Sequence, residues 1–387
     1  METGNQPAAG PAQPAETGVA PALASEPTAE LQEAPYRGLR WIFLGSQGLR
    51  AGWSVLIFAA IFLILNIGID AALFKAHLLS QEAAFSPKSA FFGELGSFLA
   101  MLGAAAVVAL IERRRILDYN LSGPHRRRHF FFGLAAGILA LSALIGALTT
   151  GGWLHFGPVA LSGAAIFRFG ALWGCTFLLS GFVEEGLFRC YGLFTLTRGI
   201  NFWWALGLVA AMCADLSLRV RGNGVWGVYV VALLGLAPCF VLHQRSAPRS
   251  SAFWLAAWVT STFFGYLHVG NGGENWIGIF AASLIGFVFC VSVRLTGSAW
   301  WAIGCHAGWD WAETFFYGAA DSGLPAQGHY LTSMPAGNPL WSGGTDGPEG
   351  SLLVLGVILL LLLLLLSLYG RGKRNMPEAP ATEPSPA

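Results

Sequence analysis

Long apolar runs recur along this chain, and they restrict its fold more than any other feature of the sequence. A helix needs about 20 residues to cross the hydrocarbon core of a bilayer. Eight runs suit that length, at 52–73, 91–111, 130–149, 170–195, 252–269, 276–293, 297–317 and 351–369, and two shorter or interrupted ones lie at 202–217 and 225–242. Composition agrees, since 55% of the 387 residues are hydrophobic and only 11% are charged. A soluble protein carries about 25% charged residues and could not bury so much apolar surface. The pattern predicts an all-α, polytopic transmembrane helical bundle of about 8–10 spans, with any chemistry placed in a polar cavity between helices.

The flanks and loops organise the rest. Residues 1–35 are rich in Ala, Pro, Glu, Gln and Thr and hold no apolar run, which predicts a disordered tail and does not fit a signal peptide. Residues 371–387 read as a second disordered tail. Between them we expect N-terminal spans with a basic loop over 36–169, a core over 170–317 that carries an insertion at 200–250, a polar loop over 318–350 and an anchor over 351–370. The anchor sequence Leu352 to Tyr369 shows no polar face and is expected to carry no chemistry. All six cysteines (Cys175, Cys190, Cys213, Cys239, Cys290 and Cys305) lie in or beside apolar stretches without a CxxC pair, so they read as buried thiols. Basic residues cluster at Arg37, Arg40 and Arg50, at Arg113 to Arg115 with Arg126 to Arg128, and at Arg371, Lys373 and Arg374. With ten spans the positive-inside rule puts all three clusters, and both termini, on the cytoplasmic side; the membrane itself is expected to be a bacterial inner or plasma membrane. Residues 318–350 hold acids but no Lys or Arg, which suits the opposite side.

Ionisable side chains within apolar spans are costly, about 2.5–3.5 kcal/mol each on insertion scales, so their positions point to function. Three groups stand out. In GFVEEGLFRCYG, residues 181–192, Glu185 and Arg189 share a helix face at i,i+4 and can pair, which leaves Glu184 as the free carboxylate. A buried Glu–Arg pair that only fixes helix packing would read the same way. In FFGYLH, residues 263–268, Phe264 and His268 lie one turn apart, although a histidine at a helix end is often just a satisfied polar group. In GCHAGWDWAE, residues 304–313, His306 and Asp310 sit at i,i+4, where the carboxylate can orient the imidazole. Asp70 and Glu94 lie near span ends, Asp215 falls in an uncertain segment, and Glu313 has no spacing that ties it to the other acids.

A carboxylate and two imidazoles from three helices suit two chemistries. Glu184 can act as general base toward water, aided by His268 or His306. Alternatively, Glu184, His268 and His306 can bind a divalent metal such as zinc with one position open to water. No HExxH pair, GxSxG elbow, P-loop or dinucleotide fingerprint is present.

The order Glu184-Glu185-x-x-x-Arg189, Phe264-x-x-x-His268, His306-x-x-x-Asp310 within apolar helices resembles the CPBP family of intramembrane proteases. That family includes CAAX prenyl endopeptidases and bacterial bacteriocin-processing or self-immunity proteins. The resemblance covers residues 170–317. It implies that Glu184 activates water with Glu185 and Arg189 in support, that His268 and His306 complete the site, and that Asp310 replaces an oxyanion-side Asn or Asp. It also implies membrane lipid and a peptide or lipidated protein as partners, with no nucleic acid. Two departures are the 74 residues between Arg189 and Phe264 and the aspartate at 310. A non-catalytic membrane scaffold or immunity protein is the alternative reading. A transporter is a third, weakened because no internal repeat is evident.

Overall fold

Helices form wherever the apolar runs stand, because in lipid a backbone must satisfy its own hydrogen bonds. The structure is a computed structural model that describes residue 1 and residues 40–45, 48–80, 86–219 and 225–370. The tails expected at 1–35 and 371–387 lie outside the described residues apart from Met1, as do Arg37, Arg371, Lys373 and Arg374. Ten α-helices longer than ten residues carry the described chain: α1 (Ala51–Lys75), α2 (Pro87–Ile111), α3 (Arg126–Thr150), α4 (Ala164–Glu185), α5 (Phe202–Arg219), α6 (Val225–Arg245), α7 (Pro248–His268), α8 (Trp276–Thr296), α9 (Trp300–Asp310) and α10 (Leu353–Tyr369). Local signals set several ends. Pro87 and Pro248 open α2 and α7, where a missing N–H costs nothing. The Asn275 side chain accepts from the Ile277 and Gly278 amides to cap α8, and Gly297 ends that helix at φ +79°.

The protein is an integral, multi-pass membrane protein with an all-α bundle. The sequence leads to an expectation of about 8–10 spans. Six helical stretches among the described residues are long and apolar enough to cross a bilayer: α1, α2, α3, Ala164–Thr197, Gly227–Arg245 and α8. Phe202–Leu218 and α10 are apolar but shorter. The remaining two, α7 and α9, hold the FxxxH and HxxxD motifs. Serine, threonine and tryptophan dilute the apolar character of α7, and α9 keeps α-helical geometry for only 11 residues.

Two π-helical segments interrupt the bundle. Gly186–Gly192 continues α4 directly after Glu185, and Trp311–Tyr317 continues α9 directly after Asp310. Such segments are rare and concentrate at functional sites. Here each begins one residue after a motif acid.

The tightest helix contact seats α9 against α3. Both carry a GxxxG pair, Gly133/Gly137 on α3 and Gly304/Gly308 on α9. A Cβ on Gly133 or Gly137 would meet the Trp301 or Cys305 carbonyl, and one on Gly304 or Gly308 would meet the Phe130 or Leu134 carbonyl. Small residues let membrane helices approach closely, and this pair of motifs does so reciprocally. The α10 helix packs one face, Val354, Val357, Ile358, Leu361 and Leu365, into the core beside α3 and α8. It is therefore more than the faceless anchor its sequence suggests. The 318–350 segment, expected as a polar loop, packs against the helices. It is stapled to the α3–α4 connection by an antiparallel pair, β1 (Leu154–Phe156) and β2 (Ser333–Pro335), and folds back onto the bundle.

Candidate active site

All three motifs meet at one cavity of about 280 Å³, close to the smallest volume typical of ligand sites. Glu184, His268, His306 and Asp310 line it, with Phe264 and Phe289 beside them. None of the described residues in 200–250 lines it. They include α5 and all of α6, which pack on each other and on α7.

Glu185 and Arg189 are both fully buried and pair at 3.2 Å across the junction from α4 into its π-helical continuation. An unpaired charge at such depth would cost several kcal/mol, so the two acids of the motif divide into different roles. Glu185 accepts from Arg189 Nη1 at 3.2 Å and lies 2.9 Å from His306 Nδ1. Glu184 keeps about a third of its side chain exposed, facing the cavity, with Oε2 3.6 Å from His306 Nε2. On the other side of His306, Asp310 Oδ2 lies 3.3 Å from the same Nε2. Both ring nitrogens thus face carboxylate oxygens, which only accept, so the arrangement is satisfied when the ring donates from both sides.

The phenylalanine of the second motif now has a physical role. Arg189 stacks over the Phe264 ring, 4.4 Å from its centroid, and lies near Phe289 as well. Gly286 makes room for the guanidinium, since a Cβ there would meet Arg189 Nη2, and its carbonyl accepts from Arg189 Nε at 3.4 Å. The Phe264 carbonyl accepts from His268 Nδ1 at 2.9 Å. A carbonyl cannot donate, so this bond places the proton on Nδ1 and leaves Nε2 available. One aromatic residue therefore supports Arg189 with its ring and orients His268 with its backbone.

The zinc reading can be tested on the donor geometry. One Glu and two His are the right donor types. Yet among the described residues the group whose ligand atoms lie mutually within 4.8 Å is Glu313, Asp321 and Glu349, and Glu184, His268 and His306 do not form such a group. His306 also has both nitrogens engaged by carboxylates. The trio does not fit a metal in this geometry.

Several cavity residues were not legible as site residues in the sequence. Glu94 of α2, read as an interfacial acid, lines the cavity, as do Asp321, Ser322, Leu324 and Glu349 from the segment expected to be an outer polar loop. Val354 and Ile358 of α10 add an apolar wall with Ile285 and Ala281. Asp215 accepts from Tyr266 Oη at 2.8 Å and ties α5 to α7, while Asp70 accepts from Asn66 within α1 at 2.8 Å. The described cysteines are all free, five of them buried and Cys175 exposed. Behind the site, Glu112 binds Arg198 at 2.8 Å, and Ser54 also donates to it. Burial alone would raise the Glu112 pKa, but the bonds from Arg198 and Ser54 outweigh it and hold it low.

In comparisons with known proteins, residues 239–312 match the family described as type II CAAX prenyl endopeptidase, Rce1-like. This is the family type that the three motifs resemble. The matched segment contains Phe264, His268, His306 and Asp310, and ends short of Glu184, Glu185 and Arg189 on the N-terminal side. No curated protein and no solved structure matches the chain.

Proposed function

We propose that this chain is an intramembrane endopeptidase that hydrolyses peptide bonds of membrane-associated or lipid-anchored, CAAX-type protein substrates. The match over residues 239–312 supports a CAAX-protease-like enzyme in general. The observation that carries the mechanism is the division between the two adjacent acids, with Glu185 buried against Arg189 and His306 and Glu184 open to the cavity. Glu184 takes a proton from water as the oxygen attacks the scissile carbonyl carbon. As Glu184 takes that proton its hold on His306 Nε2 weakens, and the Nε2–H, shared until then with Glu184 and Asp310, turns to the oxyanion, with His268 lining the same cavity. Glu184 then returns its proton to the amide nitrogen as the C–N bond breaks, which releases a carboxylate and an amine. Glu185, Arg189 and Asp310 act as positioning residues that hold the His306 ring. No step passes through a metal.

The apolar wall of Ala281, Ile285, Val354 and Ile358 suits the chain of a lipidated substrate. We further read the protein as residing in a bacterial plasma membrane, with the arginine-rich connection Arg113 to Arg128 facing the cytoplasm. Cysteine labelling of that connection in sealed vesicles tests this orientation.

The peptidase reading is tested with full-length protein in detergent and a quenched fluorescent peptide, prenylated or acylated near its C-terminus. Glu184→Gln should lower the cleavage rate by about 10²–10⁴-fold while the protein stays monodisperse. Full cleavage by that variant would sink the assignment. Loss of wild-type activity on 1,10-phenanthroline treatment, with recovery on added zinc, would instead restore the metal mechanism.

A further inference from the structure

Beside the motif residues stands a second group of acids, two of which line the cavity and none of which is in an ion pair among the described residues. Glu313, Asp321 and Glu349 bring carboxylate oxygens within 4.8 Å of one another. Glu313 is completely buried at the start of the π-helical segment, and its Oε1 has no hydrogen-bond partner. Asp321 and Glu349 come from the two ends of the 318–350 segment. Among the described residues no ion pair reaches any of the three, and residues 318–350 contain no Lys or Arg at all.

The remaining oxygens are held by neutral donors that fix their direction. Trp309 Nε1 donates to Glu313 Oε2 at 2.9 Å and to Glu349 Oε1 at 2.8 Å. Ser322 Oγ donates to Glu349 Oε2 at 2.7 Å, and Thr314 Oγ1 donates to Asp321 Oδ2 at 3.0 Å. Neutral donors orient carboxylates but cannot offset three negative charges gathered in a buried space.

We propose that Glu313, Asp321 and Glu349 bind one hard divalent cation of the calcium type, which clamps the 318–350 segment onto the helix that presents His306. The donor set is oxygen only, which selects calcium-, magnesium- or manganese-like ions over zinc or copper. Calcium takes its oxygens at about 2.3–2.6 Å, so oxygens around one ion stand up to about 5 Å apart, and the three here, within 4.8 Å of one another, can share one ion. Magnesium binds at about 2.0–2.1 Å in a strict octahedron and needs a tighter cage than carboxylates from two loop ends and a helix provide. An unpartnered, wholly buried Glu313 oxygen is what a ligand atom looks like when its ion is left out of account. The cation would lock Asp321, Ser322 and Glu349 into the cavity wall. Its role is structural and does not depend on the peptidase reading.

Chelator-treated, full-length protein in detergent tests this directly. Terbium should bind saturably at one ion per chain, with luminescence sensitised by tryptophan since Trp309 touches two of the ligands, and calcium should displace it. Calcium should also raise the melting temperature by several degrees. Asp321→Asn with Glu349→Gln should weaken terbium and calcium binding at least tenfold, whereas Glu184→Gln, which is not one of the three ligands, should keep binding within about twofold of wild type. Should the double variant fail to fold, Ser322→Ala serves in its place, with a weakening of a few fold expected from loss of the Glu349 orientation. Absence of saturable binding to folded wild type would overturn the proposal, as would undiminished binding in the double variant or in Ser322→Ala. Equal loss in Glu184→Gln would move the ion to the motif site and overturn it too. Cleavage activity enters none of these readouts, so the cation site and the peptidase reading can fail separately.

Discussion

Two groups of acids, a motif wall and a loop wall, meet at one cavity, and they are neutralised differently. On the motif wall, Glu185 lies between Arg189 and His306, and His306 in turn lies between Glu184 and Asp310. On the loop wall, Glu313, Asp321 and Glu349 are held only by Trp309, Ser322 and Thr314. Below them, Glu274 and Asp346 converge on Gly278, again without a cation. An acid balanced by fixed cations costs stability when either partner is removed. An acid crowded by other acids gains stability when it is neutralised.

The largest expected effect comes from breaking the paired wall. Arg189→Met leaves Glu185 buried without its guanidinium and should destabilise the protein by about 3–5 kcal/mol. Thermal unfolding in detergent measures this, and a change below about 1 kcal/mol would mean that the pair is not what compensates Glu185. Packing of the motif helix comes next. Gly308→Val puts a branched side chain against the Leu134 backbone and should cost about 1–3 kcal/mol or prevent folding. If Gly308→Val is as stable as wild type, the close seat of α9 on α3 is not required.

The loop wall should respond in the opposite direction. Asp321→Asn, measured at pH 8 with chelator present, should raise the melting temperature by about 2–4 °C, because it removes one of several like charges. A lower melting temperature would place this wall in the same class as the motif wall.

The pH profile should sharpen the contrast. Burial, then the nearby charges of Asp346 and Glu349, pushes Glu274 up to about 9, against a weak opposing hydrogen bond from Asn271. Burial, then Glu349, raises Asp346 to about 7, with the Asn275 amide acting in the other direction. Both acids therefore hold protons more tightly folded than unfolded. Their contribution to stability is complete below the unfolded value near pH 4–5 and is lost as pH rises through 7 and then 9. The Glu112 carboxyl, held low, loses its contribution only at acid pH and does not enter this window. Chelated protein should thus melt at falling temperature from pH 5 to pH 9, which scanning fluorimetry can follow. A flat or rising profile would contradict it.

The smallest change expected is on the loop wall, where Ser322→Ala removes one hydrogen bond to Glu349 and should cost about 0.5–1.5 kcal/mol. An effect as large as that of Arg189→Met would erase the distinction between the walls.

Sequence determined the bundle and the motif wall to a considerable extent. Every apolar run became a helix, because burial in lipid and the helical hydrogen-bond pattern both act over neighbouring residues. The Glu185–Arg189 pair could be read from i,i+4 spacing, which is likewise a local property. Tertiary structure decided the rest. Whether Asp321 and Glu349 face water or a cavity depends on how the 318–350 segment folds back, and no spacing between residues 313, 321 and 349 encodes that. The two π-helical segments, the reciprocal GxxxG contact of α3 with α9, and the apolar wall from α10 all arise from packing between elements far apart in the chain. Local periodicity shows which residues share a helix face. Only contact between helices decides what that face meets, and so which buried acids find a cation and which do not.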